Sequence, residues 1–106
     1  MKKYEAMFIV KPDLKEDERT AVMKAIKEQM VKQQATVTHD EIWAERRKLA
    51  YDLFPLAGQT RFKEGMYYLV HFTSDPLAIS ALNHQYRMNE NILRFLILRL
   101  DEKKTS

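Results

Sequence analysis

Gly65-Met66-Tyr67-Tyr68-Leu69-Val70-His71-Phe72, running into Thr73-Ser74-Asp75-Pro76, is the stretch that decides the fold. Its first eight residues are dominated by aromatic and aliphatic side chains, the composition of a strand. The next four are a helix-start signal, with Asp75 placed to cap and proline at the first helical position. Ile79, Leu82 and Tyr86 follow at spacings of three and four, which predicts one buried helix face. That helix should end near Asn89, and Ile92 to Leu100 reads as a closing strand. The second half of the chain is therefore strand, helix, strand.

Moving upstream, the same order repeats. Tyr4 to Val10 reads as a strand stopped by Lys11-Pro12-Asp13. A helix is predicted from about Leu14 to Gln34, with Asp13 as N-cap and Glu16, Asp17 and Glu18 suiting the positive end of its dipole. Val22, Ile26 and Met30 give it one apolar stripe. Thr36 to Leu49 is a second extended region, polar except for Val37, Ile42 and Trp43, the composition of an edge strand. From Ala50 to Glu64 the pattern breaks around Pro55 and Gly58, which predicts a long connecting loop. The order β-α-β-β-α-β is the split βαβ arrangement, a ferredoxin-like α+β fold. Right-handed crossovers place both helices on one face of a four-stranded antiparallel sheet. The first and fourth strands are expected to pair with neighbours on the inside, and the second to lie at an edge. Residues 1–100 form one domain, and 101–106 a polar tail expected to fray.

Composition narrows the function. The chain has 106 residues, 45% hydrophobic and 31% charged, which is the balance of one globular domain. It contains no cysteine, so disulfides, thiol catalysis and cysteine-held metals are excluded. No apolar run approaches the roughly 20 residues that cross a bilayer. Met1-Lys2-Lys3-Tyr4-Glu5 lacks the features of a secretory signal, so a cytosolic address and no membrane partner are expected. Net charge is +3, and its excess lies in the second half. Residues 1–45 hold eight Lys/Arg against nine Asp/Glu, whereas residues 46–100 hold eight against four. Such a local basic excess suits either an anionic partner or a solubilising surface.

Strand parity gives the sharpest expectation. A sheet with one solvated face should alternate apolar and polar residues. Tyr4, Ala6, Phe8 and Val10, with Tyr68, Val70 and Phe72, and Leu93, Phe95 and Ile97, form the set expected under the helices. The opposite parity is also apolar: Met7, Ile9, Tyr67, Leu69, Leu96 and Leu98 face away from them. Six such side chains make a patch of the size that marks an interaction site, rimmed by Lys3, Arg94 and Arg99. A protein partner with adjacent RNA contact is one cover for it; the 50–64 loop or the C-terminal tail folding back is the other.

Enzyme signatures are absent. There is no GxGxxG, P-loop, HExxH or GxSxG, and no catalytic residue, cofactor or small-molecule substrate is expected. His39, His71 and His84 fall on three different predicted elements, which reads as ordinary surface histidines and no metal site; His71, beside the patch, reads as interfacial. Arg46-Arg47-Lys48-Leu49-Ala50-Tyr51 is the densest cationic group, and guanidinium groups suit phosphate because each donates two parallel hydrogen bonds.

Lys3-Tyr4-Glu5 before an apolar strand and Pro12, the Arg46-to-Tyr51 segment, and Asn91-Ile92-Leu93-Arg94 entering the last strand together resemble the bacterial small-subunit ribosomal protein S-six (S6) family. The resemblance spans about Lys2 to Leu100. It implies a structural protein of the small ribosomal subunit that binds the central domain of the small-subunit rRNA as a heterodimer with ribosomal protein S-eighteen (S18). By matching position, Lys2, Lys3, Arg47 and Arg94 become RNA-contact candidates; Arg46, Arg61 and Lys63 join them on charge. The chain departs from the family pattern after Leu49-Ala50-Tyr51, where Asp52 stands in place of the usual proline and a longer loop follows. Two other readings of the same face are an RNA-recognition-motif domain, which Lys63 to Phe72 faintly resembles, and a ligand-sensing homodimer. The first strand offers no outward aromatic for base stacking, which weighs against the former.

Overall fold

The elements of the computed structural model are β1 (Lys2–Val10), α1 (Glu16–Lys32), β2 (Thr36–Leu53), β3 (Phe62–Ser74), a 3-10 turn (Pro76–Ala78), α2 (Ile79–Arg87) and β4 (Ile92–Arg99). The structure describes residues 1–53 and 62–100, and side chains for 1–43 and 65–100. The order is the ferredoxin-like one. β2 and β3 run further than the sequence pattern suggests, to Leu53 and from Phe62, so part of the 50–64 segment expected as loop is paired strand.

The sheet order is β2-β3-β1-β4, with every neighbouring pair antiparallel. The second strand lies at an edge, as expected. The fourth does not sit inside; it is the opposite edge. Each βαβ crossover skips one strand position, so β1 and β3 fill the centre and β2 and β4 are left outermost.

Helix ends follow local chemistry. Asp13 is not the cap of α1. The helix starts after Lys15, whose backbone N–H donates to Glu18 Oε1 at 2.9 Å, the reaching-back half of a capping box. At the other end Gln34 has φ 65°, in the left-handed region. The Ala35 N–H donates to the Met30 carbonyl at 2.8 Å, and the Gln34 N–H to the Val31 carbonyl at 2.9 Å. That pairing is a Schellman motif built without its usual glycine. Asp75 does cap its helical turn, its Oδ1 accepting from the Leu77 N–H at 3.0 Å.

Period-two burial places the core. Tyr4, Ala6, Phe8 and Val10 of β1 and Met66, Tyr68, Val70 and Phe72 of β3 are buried under Val22, Ile26 and Met30 of α1 and Leu82 and Tyr86 of α2. Phe8 sits at the centre. Its ring meets Tyr86 edge-on at 4.9 Å and lies 6.1 Å from Phe95. The Tyr86 hydroxyl donates to the Ile26 carbonyl at 2.7 Å, pinning α2 to α1, and burial raises its pKa. Under α1, Tyr68 donates to Asp40 Oδ2 at 2.7 Å, and Lys27 lies 3.2 Å from the same oxygen. The Tyr68 hydrogen bond, aided by Lys27, holds the Asp40 carboxyl below its usual range against the opposing effect of burial. Burial, then the hydrogen bond to Asp40, raises Tyr68.

Candidate protein and RNA interface

Both helices cover the same face, so the opposite one is bounded by whatever its own strands present. Register places its side chains in rows across the sheet. Leu69 lies opposite Met7, and Met7 opposite Leu96. Tyr67 lies opposite Ile9, and Ile9 opposite Arg94. His71 lies opposite Glu5, and Glu5 opposite Leu98. All six apolar residues expected on this face are thus on it. Met7, Ile9, Tyr67 and Leu69 are half-buried, because the two central strands are sheltered by neighbours on each side. On the edge strand the shelter is missing, and Leu96 and Leu98 are 58% and 50% exposed.

Two features of this face were not apparent from sequence. Trp43, on β2, is 55% exposed with its ring 6.1 Å from Tyr67, extending the apolar band toward the far edge. Beside that band runs a polar row. The rings of His39 and His71 are 5.8 Å apart; His39 Nε2 lies 3.3 Å from Glu41 and His71 Nε2 3.9 Å from Glu5. Two of the three histidines expected to be scattered are therefore neighbours. The cause is a register shift between Val37 and His39: an extra residue sends Val37 toward the core and His39 to the open face. Among the described residues no three ligating side chains converge as a metal site would require.

The basic candidates divide by position. Lys2 and Lys3 are exposed at the start of β1, and Arg94 is exposed on β4 beside Ile9. The backbone of Arg47 pairs with Gly65 where β2 and β3 run past the end of β1. Arg46 and Lys63 lie on the same strand pair, their side chains outside the described residues, and Arg61 lies outside them altogether. The alternative cover for the face, by the 50–64 segment or the tail, also falls largely outside the described residues. Among the described residues no helix is long and apolar enough to cross a membrane.

Fold and face together define a ferredoxin-like α+β domain with one sheet surface left uncovered by its own helices. Comparison with known proteins narrows the class. The family model for ribosomal protein S6 matches residues 3–99, and the chain belongs to that family. It is 35% identical over 102 residues to small ribosomal subunit protein bS6 of Desulforamulus reducens, covering 96% of this chain and all of that one. It is also 35% identical over 104 residues to the bS6 protein of Helicobacter acinonychis, covering 98% of this chain and 68% of the relative. The crystal structure of 30S ribosomal protein S6 from Thermotoga maritima superposes with a TM-score of 0.81 at 27% identity, over 93% of this chain and 87% of that one. The chain is accordingly a ribosomal protein of the small subunit, placed with the ribosome in the cytoplasm.

Proposed function

We propose that this chain binds the central domain of small-subunit rRNA as a heterodimer with ribosomal protein S18, the uncovered sheet face docking the protein partner and flanking cations meeting RNA phosphates. The observation that carries the reading is the exposure of Leu96 and Leu98 on a face whose central residues are also apolar. Burying a leucine fully is worth about 1.5–3 kcal/mol, so such a face gains substantially when a partner covers it. Met7, Ile9, Tyr67 and Leu69 supply the floor, Leu96 and Leu98 the exposed rim, and Trp43 an aromatic anchor of the type enriched at protein interfaces.

Lys2, Lys3 and Arg94 border that face, and Arg46, Arg47, Arg61 and Lys63 continue the basic character along and beyond the β2–β3 pair. Each phosphate neutralised releases counterions, giving salt-dependent affinity that is blind to sequence. A net charge of +3 supplies few such contacts, so the chain needs its partner for tight binding. Gel-shift titration of a central-domain RNA fragment tests this. The equimolar mixture with S18 should bind tightly and this chain alone weakly; tight, specific binding by the chain alone would refute the heterodimer mechanism.

A further inference from the structure

β4 is an edge strand of eight residues, and its free side has a definite chemistry. Lys3 lies opposite Leu100 in continuation of the β1–β4 register, and the Leu100 N–H donates to the Lys3 carbonyl at 2.8 Å. Backbone hydrogen bonding alternates along an antiparallel ladder. Arg94, Leu96 and Leu98 therefore turn their backbone groups toward β1. Leu93, Phe95, Ile97 and Arg99 turn theirs outward, along an edge that no described strand occupies.

Beside this edge, on the helix side, runs a groove of about 430 Å³ between α2 and β4. Asn83, Tyr86 and Arg87 form one wall and Leu93, Phe95 and Ile97 the other. A strand added to β4 would drop every second side chain into it. Natural edges are usually blunted by inward charge, proline or a bulge. Between Ile92 and Arg99 there is no proline, and the only irregularity of the ladder lies at its start, opposite Ile9 and Val10.

Charge selects the occupant. β4 contributes Arg94 and Arg99 and no carboxylate, and Arg87 stands exposed on the groove wall. A second copy of this chain pairing edge to edge would bring these cations against their own equivalents, which disfavours self-association. We infer that the outer edge of β4 accepts an extended acidic segment of another protein as a fifth strand, its apolar residues filling the α2–β4 groove and its carboxylates, which alternate to the open face, lying beside Arg94, with Arg87 and Arg99 on the groove side adding to the basic field. Main-chain hydrogen bonds would supply affinity and the groove the choice of side chains, as in strand-addition recognition generally.

Amide hydrogen exchange on the full-length chain tests this with a blocked eight-residue peptide alternating valine and glutamate. The expected result is slowed exchange at Phe95, Ile97 and Arg99, with Leu96 and Leu98, already bonded to β1, little changed. Arg94→Glu, at an exposed strand position on the glutamates' face, should weaken peptide binding by about fivefold while leaving the fold intact, and Arg87→Glu, on the groove side, should weaken it less. A valine–lysine peptide that protects the same amides equally would overturn the charge argument. Edge amides already protected in the isolated chain, or a homodimer by sedimentation that buries them, would overturn the proposal, as would protection by a homopolymer RNA and not by the acidic peptide.

Discussion

Replacing Leu96 and Leu98 together by threonine isolates the exposed rim of the open face from the stability of the domain. Threonine keeps a β-branched side chain, so strand propensity is retained. Full burial of leucine is worth about 1.5–3 kcal/mol, and these residues are 58% and 50% exposed, so roughly half of that remains for a partner to recover. Allowing for the methyl that threonine keeps, each site forfeits about 1 kcal/mol of partner affinity. The pair forfeits about 2 kcal/mol, or roughly thirtyfold in Kd. Titration calorimetry against purified S18 reads the affinity, and urea denaturation of the free chain reads the stability. Stability should move by no more than about 0.5 kcal/mol, the range of ordinary surface substitutions. Unchanged affinity in a folded variant would refute the assignment of this face. A free chain destabilised by about 2 kcal/mol or more would show that the chain roofs these leucines itself.

Four further outcomes follow from named contacts. Gln34→Gly should stabilise the domain by about 1 kcal/mol in urea denaturation, because φ 65° strains any residue with a Cβ; a loss of stability would show that the glutamine side chain holds the helix exit. Phe8→Ala, at the centre of the aromatic cluster, should lower stability by about 3–5 kcal/mol, read as a fall in the denaturation midpoint at constant slope. The Asp40 carboxyl is held low by Tyr68 and Lys27, so its contribution is complete above its unfolded value near 4 and is lost as pH falls through the folded one; Tyr68→Phe should flatten the acid limb of a stability–pH curve. Lys2→Ala with Lys3→Ala should reduce the slope of log affinity against log salt by about 1.5–2 for the heterodimer on RNA, with little sequence dependence.

The architecture was legible because burial leaves regular marks. Val22, Ile26 and Met30 repeat at helical spacing, and β1, β3 and all but the start of β4 keep parity, so both the core and the uncovered face could be read from alternation alone. β2 was not legible in the same way. Its ladder shifts between Val37 and His39 and again between Ile42 and Ala44. Each shift breaks the two-residue period, so a parity argument cannot place His39 or Trp43. The N-terminus of α1 lies two residues later than the sequence predicts because the oxygen that satisfies the Lys15 N–H comes from inside the helix, at Glu18, and not from the preceding Asp13. The outer place of β4 follows from crossover geometry rather than composition, since its apolar sequence looks like that of a central strand.

The unequal strand lengths have a mechanical consequence. β1 stops pairing at Val10 opposite Met66, whereas β2 and β3 stay joined through Arg47 with Gly65 and Lys48 with Glu64 to Leu53 with Phe62. Past Met66 the four-stranded slab narrows to a two-stranded boom. Ribbons of two strands coil more tightly than broad sheets, so such a boom need not keep the plane of the slab it leaves. The molecule is thus shaped like a plate with a handle: the plate carries the apolar open face, while Arg46, Arg47, Lys48 and Lys63 lie on the strands of the handle. Under the proposed function, a body of that outline meets its protein partner with the plate and RNA with the handle, each from its own direction.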